Sequence, residues 1–399
     1  MDPITNLLTR GVDIIYPTRD ALEKVLRSGK KLKLFQGFDP TGTQLHIGHA
    51  VGFRKLRQFQ DLGHEVIFLI GDGTGQAGDP TGKKKTREKF LTREELRANG
   101  RDYIMQAGKI VRFEGPNPVR ILYNGDWLND LKLVDILGIA QHFSVQQLIE
   151  RDMFQERIRN KESINLREFL YPLLQGYDSV AMGIDLELGG SDQTFNMLCG
   201  RTLVQAYLKK EKFVMTTPLL TDNEGRKIGK TEGNVIGITD EPNDFYGKIM
   251  ALADSAIVPC FNLLTDMPLT EIASIEKAMK DGENPINFKK RLAFALTKQF
   301  NNESAATDAQ EFFETTFQKG ETTGSLEEFP VSNLTRPILS IIDLLVETQS
   351  ASSKSEARRL VEQKAVDIDQ TVVDIVNTNI TLKPGMIMRV GKKRFLRFI

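Results

Sequence analysis

Only four histidines occur in the 399-residue chain. Two of them, His46 and His49, close the segment Phe38-Asp-Pro-Thr-Gly-Thr-Gln-Leu-His46-Ile-Gly-His49. Three-residue spacing puts both imidazoles on one helical turn. A helix starting there would offer unpaired N–H groups and a partial positive charge, the setting in which phosphates bind. Imidazole N–H donors on the same face could stabilise charge developing on a pentavalent α-phosphate. Gly48 removes a side chain where an adenine would lie close to the backbone. A zinc pair or two ordinary surface histidines would also satisfy the spacing, although no third ligand stands nearby.

A second cationic group lies in Gly225-Arg-Lys227-Ile-Gly-Lys230-Thr231. Two lysines three apart in a Gly-flanked loop form a mobile arm able to reach a triphosphate, most useful if it closes as charge moves onto pyrophosphate. An isolated Lys-x-x-Lys is more often a solvated basic turn; the histidine segment is what favours the arm. Neither motif is a phosphate loop or a dinucleotide fingerprint. A third group, Tyr171, Gln175 and Asp178, lies at three- and four-residue spacing on one helix face within an apolar stripe. Such a row needs a polar ligand or a satisfied internal network.

The elements that must carry these groups follow from hydrophobic periodicity. Leu32–Phe35, Val66–Ile70, Leu122–Asn124 and Leu186–Leu188 read as buried strands, and Gly48–Gln60 as a helix between the first two. Strand, helix, strand in that order is a βαβ unit on a parallel sheet. Its repetition predicts an α/β, Rossmann-like doubly wound domain over residues 1–240. Asn243–Ile257, Leu269–Asp281, Asn287–Phe300 and Ala305–Phe317 predict an α-helical domain over 241–325. Glu321–Pro330 reads as a linker, and 336–399 as a small α+β RNA-binding domain. There Ser353 and Glu356 form a capping box opening a helix to Gln363. Lys354, Arg358 and Arg359 line the exposed side of that helix, with Lys364 at its end. The tail from Lys383 holds six basic residues and no acid. It could meet an RNA backbone or be merely solvated, with Phe395 or Phe398 packing or stacking.

Composition sets the bounds. Lysine plus arginine number 53 against 53 acids, so whole-chain charge does not advertise nucleic acid. Two distant cysteines make neither a disulfide framework nor a zinc site and fit a reducing cytosol. No signal peptide or membrane span is expected, since the most apolar early run, Val66–Ile70, is far too short to cross a bilayer. The expected location is cytoplasmic.

His46-Ile-Gly-His49 together with Lys227-Ile-Gly-Lys230-Thr231 resembles the two signatures of class I aminoacyl-tRNA synthetases, the second in a form familiar in the tyrosyl branch. The resemblance implies adenylate formation from ATP with Mg2+ as substrate and no protein-bound structural metal. It implies that His46, His49 and Thr41 contact the phosphates and that Lys227, Lys230 and Thr231 act on the leaving pyrophosphate. Lys83 and Arg87 match a basic mobile loop of the family, and Gly37, Asp39 and Gly48 belong to its ATP site. The attacking group would be the amino acid's own carboxylate, so position and charge are what the protein supplies.

Glu168–Asp178 is similar to the tyrosyl-synthetase helix in which the matching Tyr171 and Gln175 hold the substrate ammonium and carboxylate. Asp178 then accepts the substrate hydroxyl. Asp79 matches a further ammonium ligand, Asp192 a ribose ligand and Gln193 a residue lining the amino-acid site. Many tyrosyl synthetases carry a tyrosine where this chain has Phe35, which shifts rejection of phenylalanine onto Asp178. Gln36 stands at a ribose-contact position that is small in some members. A tryptophanyl enzyme would have no use for Asp178, because an indole offers a carboxylate no hydroxyl. The C-terminal pattern resembles the S-four-like RNA-binding domain of bacterial tyrosyl synthetases, but Lys364-Ala365 and Asp369-Gln370 depart from its glycine-rich and Asn-Gly turns. The implied partners are tRNA(Tyr), L-tyrosine and ATP, with a homodimer across which tRNA bridges. An RNA-binding protein that kept the fold without the chemistry, and a pantothenate synthetase-like adenylate-forming ligase, are the rival readings. The intact histidines and lysines oppose the first; the Tyr171–Asp178 helix and the RNA-binding C-terminus oppose the second.

Overall fold

A computed structural model describes residues 2–81, 90–222, 225, 227–228, 230–231, 234–315, 327–331, 334, 336, 338–369, 371–376, 378–383, 385–391 and 394–399. The chain divides into two compact units, Met1–Ala306 and Thr307–Ile399.

The first unit is built on a six-stranded sheet: β1 Ile15–Tyr16, β2 Lys33–Phe38, β3 Glu65–Ile70, β4 Arg120–Tyr123, β5 Leu186–Gly190 and β6 Phe213–Thr217. Their spatial order is β1-β6-β5-β2-β3-β4, with β1 antiparallel and the other five parallel. Parallel strands are covered on both faces, so they read as continuous apolar runs; Leu34, Phe35 and Gln36 are buried one after another in β2. From β2 the chain moves outward through β3 and β4. It then returns to the opposite side of β2 for β5 and β6. That reversal opens a crevice at the carboxyl ends of β2 and β5, the position where doubly wound sheets hold ligands.

Strand expectations fall within a few residues of the observed elements; β1 and β6 had no clear sequence signal. The helix expected over Asn243–Ile257 is instead two helices, Pro242–Met250 and Ile257–Leu264, joined through a 3-10 turn at Asp254–Ala256 and bent by 107°. Phe245, Tyr246 and Ile249 on one piece and Ile257, Phe261 and Leu264 on the other are all buried, and a straight helix could not turn both stripes inward. Leu269–Lys280 and Pro285–Phe300 complete this layer, followed by Glu303–Phe313. Arg10 anchors it from outside, donating to the carbonyls of Phe261, Asn262, Thr265 and Met267 at a helix C-terminus. Among the described residues no single helix is long and apolar enough to cross a membrane.

The second unit is a five-stranded sheet, ordered Thr371–Val372, Val366–Ile368, Ile387–Val390, Arg394–Phe398, Glu327–Phe329, with helices Ile341–Glu347 and Lys354–Glu362. Leu344, Leu345, Val361, Val366, Met388 and Phe398 form its core. Ser353 caps the second helix as expected, while the Glu356 carboxylate bonds the N–H of Ser352 rather than that of the cap. Phe398 packs against Phe329 with ring centroids 6.2 Å apart, so it is core and offers no stacking surface. Lys364 and Asp369, the departures from glycine-rich turns, both adopt left-handed backbone, at φ +55° and +47°. Each costs on the order of 1 kcal/mol that glycine would avoid.

Candidate functional site

The crevice is a cleft of about 550 Å³. Its walls bring together Phe35, Gly37, Asp39, Thr41, His46, Gly48 and His49 from β2 and the following turn, and Asp79 after β3. They are joined by Tyr171, Gln175 and Asp178 from the Leu166–Ala181 helix, Asp192 and Gln193 after β5, and Lys227. Residues expected to act together from segments almost 200 positions apart therefore share one cavity. Lys83 and Arg87 lie outside the described residues, as do the side chains of Lys230 and Thr231, whose backbone pairs with Val235 and Asn234.

The two histidines hold the local backbone together. His46 is the N-cap of the Ile47–Asp61 helix. Its Nδ1 accepts the Gly48 N–H at 3.1 Å, and His49 Nδ1 accepts the His46 N–H at 3.1 Å. A ring nitrogen that accepts a backbone N–H carries no proton, so in both rings the donor is Nε2. Gly48 is required by His46 itself: a Cβ there would come within 2.9 Å of the His46 ring. Two backbone bonds, from Ile47 N to Ile236 O and from Ile238 N to Leu45 O, both 3.0 Å, tie this turn to the segment 236–238 that follows the lysine segment. Gln106, which the sequence did not single out, staples the turn by accepting from Leu45 N–H and donating to Thr43 O.

Asp178 sits at the floor, only 1% exposed. Asn124 Nδ2 donates to its Oδ2 at 3.0 Å and Trp127 Nε1 to its Oδ1 at 2.9 Å. Burial pushes its pKa well above the ordinary carboxylate range, and the two N–H donors pull against that rise. Asn124 and Trp127 escaped the sequence reading. A signal existed: Asn124-Gly-Asp-Trp127, with the single tryptophan of the chain, begins at the last residue of a predicted strand, at the sheet edge where sites form.

Above this floor several polar groups are paired with one another. Tyr171 Oη donates to Asp39 Oδ2 at 2.9 Å, and Thr74 Oγ1 donates to Asp39 Oδ1 at 2.6 Å. Burial, then the charge of Asp39, holds the Tyr171 phenol far above its usual pKa. Gln193 Nε2 donates to Asp79 Oδ2 at 2.8 Å, and the Thr81 N–H to Asp79 Oδ1 at 2.9 Å. Gln175 Nε2 donates to Glu187 Oε1 at 3.1 Å, and Glu187 is paired with the buried Lys212. On the rim, Lys227 Nζ is 3.8 Å from Asp192 Oδ2. Phe35 belongs to an apolar cluster with Ile67, Leu69, Met182 and Ile184, against which Trp127 packs. Gln36 folds over Gly52, where a Cβ would stand 2.5 Å from its amide oxygen.

In the second unit Lys354, Arg358, Arg359 and Lys364 are exposed. Lys354 pairs with Asp343 at 2.8 Å and Lys364 with Asp374 at 3.4 Å. Arg389 pairs with Asp367, and Arg394 donates to the carbonyls of Thr348 and Gln349. Part of the basic tail is thus spent inside the fold. Lys392 and Lys393 lie outside the described residues.

The chain matches the family model for class I tRNA synthetases (W and Y) over residues 27–318 and that for the tyrosine–tRNA ligase SYY-like C-terminal domain over 321–398. It is 42% identical to the tyrosine–tRNA ligase of Mannheimia succiniciproducens, covering 98% of this chain and 96% of that protein. Identity to the Thermotoga maritima tyrosine–tRNA ligase is 41%, with the same coverage. A C-terminally truncated mitochondrial tyrosyl-tRNA synthetase of Aspergillus nidulans superposes with a TM-score of 0.66 at 25% identity, covering 79% of this chain and 94% of that one.

Proposed function

The chain belongs to the class I tRNA synthetases and within them to the tyrosine–tRNA ligases, and from that premise we propose how its own residues divide the work. Its reaction is ATP-dependent activation of L-tyrosine to tyrosyl-adenylate with release of pyrophosphate, then transfer of tyrosine to the 3' end of tRNA(Tyr). The observation that carries the assignment of roles is Asp178: a buried carboxylate, oriented by two N–H donors, at the floor of the cleft whose rim bears His46, His49 and Lys227.

Asp178 accepts the phenolic O–H of tyrosine. Asp79, Tyr171 and Gln175 receive the ammonium, and Gln193 holds Asp79 in place. The substrate carboxylate then faces the α-phosphate, and the step is an in-line displacement in which a carboxylate oxygen attacks phosphorus as pyrophosphate departs. Position does most of the work. The Nε2–H groups of His46 and His49, with Thr41, meet charge that grows on the phosphate oxygens in the transition state. Gly37, Asp39 and Gly48 line the nucleotide site, and Asp192 takes the ribose hydroxyls. Lys227 exchanges its rim contact with Asp192 for the leaving pyrophosphate, with Lys230, Lys83 and Arg87 completing the cationic set and Thr231 adding a hydroxyl. Mg2+ enters as part of the nucleotide substrate, held by its phosphates. Among the described residues no group of three His, Cys, Asp or Glu side chains could hold a metal by itself.

The wider organisation is proposed on the same footing: a catalytic domain over 1–240, a helical anticodon-side domain over 241–325 and an S-four-like RNA-binding domain over 336–399. Lys354, Arg358, Arg359 and Lys364 would contact the tRNA backbone. A cytoplasmic homodimer is the proposed working form. Exposed apolar side chains concentrated between 133 and 166, Leu133, Val134, Leu137, Val145 and Leu166, support a partner surface. The test is ATP–pyrophosphate exchange with each amino acid in turn. Exchange driven by tyrosine is expected; exchange driven by tryptophan, or by none, overturns the reading.

A further inference from the structure

We infer that Glu187 and Lys212 are positioning residues that fix which end of the Gln175 side-chain amide faces the substrate; this rests on the tyrosine site proposed above. Glu187 is 2% exposed on β5 and Lys212 is fully buried. Their ion pair lies beneath the amino-acid part of the cleft. Lys212 Nζ also donates to the Met197 carbonyl at 3.1 Å, and Ser179 Oγ donates to Glu187 Oε2 at 3.4 Å. Gly200 makes room for this arrangement, since a Cβ there would stand 2.4 Å from Lys212 Nζ.

The remaining oxygen of Glu187 accepts from Gln175 Nε2 at 3.1 Å. A carboxylate paired with an ammonium only accepts hydrogen bonds. The Gln175 amide can therefore present nothing but its N–H2 to Glu187, and a flipped amide would set oxygen against oxygen. The opposite end, Gln175 Oε1, is buried and has no hydrogen-bond partner within the protein. A buried acceptor without a partner is costly, and the cost is recovered when a ligand brings a donor. Tyr171 Oη, whose own proton is committed to Asp39, adds a second acceptor in the same cleft, and Asp79 adds a third. Three acceptors suit the three N–H bonds of an α-ammonium. The buried pair makes Gln175 an ammonium acceptor and keeps it from turning an N–H2 toward the substrate. A neutral glutamine at 187 could bond either end of the Gln175 amide and would lose that control.

Breaking a buried pair from one side strands a charge, so the test replaces both partners, Glu187→Gln with Lys212→Met. Binding of L-tyrosine is measured beside that of 3-(4-hydroxyphenyl)propionate, which keeps the phenol and carboxylate and lacks the ammonium. The expected result is a loss of about tenfold or more in tyrosine affinity, an unchanged or tighter fit for the desamino analogue, and an unaltered KM for ATP. Gln175→Met, which leaves the ion pair intact, is expected to produce the same selective loss. Adding Gln175→Glu to the double variant supplies an oxygen that no flip can remove, and it is expected to restore the preference for tyrosine. A purely structural pair would instead weaken both ligands equally. Equal weakening, or an unchanged preference in the Gln175→Met protein, overturns the inference. A wild-type protein that binds no tyrosine would overturn the site reading on which it rests; normal tyrosine binding with an unaltered preference in the variants overturns this inference alone.

Discussion

Trp127 and Asp178 meet across the sheet: the indole N–H, carried by the turn after β4, donates to a carboxylate oxygen on the Leu166–Ala181 helix at 2.9 Å. With Asn124 on the other oxygen, the carboxylate proposed to take the substrate phenol is held at both oxygens. Trp127→Phe keeps most of the packing and removes that donor. A hydrogen bond to a charged group contributes about 1.5–3 kcal/mol. kcat/KM for tyrosine is expected to fall by about 10- to 100-fold, with KM for ATP unmoved. Steady-state pyrophosphate exchange checks this, and an unchanged kcat/KM would show that Asn124 alone suffices.

The burial that raises the pKa of Asp178 gives it a pH signature. Its carboxylate gains a proton on the acid side at a pH above the ordinary carboxylate range, and the proposed acceptor for the phenol is then lost. The acid limb of kcat/KM for tyrosine is expected above that range. Asp178→Ala is expected to abolish tyrosine activation. A profile flat down to the ordinary carboxylate range would remove Asp178 from phenol recognition.

His49 carries a backbone-capping duty and a proposed chemical one, which one variant separates. In His49→Ala the proposed phosphate donor disappears, and adenylate formation is expected to slow by about 100-fold, the scale of one transition-state donor, with tyrosine affinity little changed. The His46 N–H also loses its acceptor, costing about 1 kcal/mol in stability. Single-turnover kinetics and a melting curve read the two effects apart. Equal adenylation rates would end the proposed role.

Phe35 is 1% exposed and lines the cleft together with Asp178, the proposed phenol acceptor. Phe35→Tyr is expected to raise the ratio of kcat/KM for tyrosine over phenylalanine, because a polar group left unpaired by phenylalanine penalises that substrate. Insertion of the hydroxyl beside Leu69 and Met182 is expected to lower Tm slightly. A constant ratio would mean that Asp178 and its donors already supply the full discrimination.

Lys55, on the histidine helix, is 3% exposed and donates to Leu7 O and Gln58 Oε1. Burial, with Arg54 and Arg10 adding repulsion, pushes its pKa down from 10.5 to about 7. Between those values the unfolded chain binds the extra proton, so stability rises with pH through that window, by at most about 1.4 kcal/mol per pH unit. Lys55→Met is expected to flatten that rise in urea-unfolding curves taken at pH values spanning the window. A slope identical to wild type would assign it to other groups.

Much of this chemistry is legible along the chain because it depends on local spacing. Helical periodicity aligns Tyr171, Gln175 and Asp178, a strand-to-helix turn sets His46 three residues before His49, and apolar runs announce β2, β3, β4 and β5. Residue type and short-range geometry decide those features, so the sequence by itself determined them. The partners of these groups are a different matter. Nothing local joins Trp127 to Asp178, Asp39 to Tyr171, or Glu187 to both Gln175 and Lys212, since each contact joins separate segments of the chain. Only the order in which the strands pair, with β2 between β5 and β3, brought those side chains within hydrogen-bonding distance. Burial in that crevice then gave each bond its strength and each amide its direction, because an unpaired polar group out of reach of water is expensive.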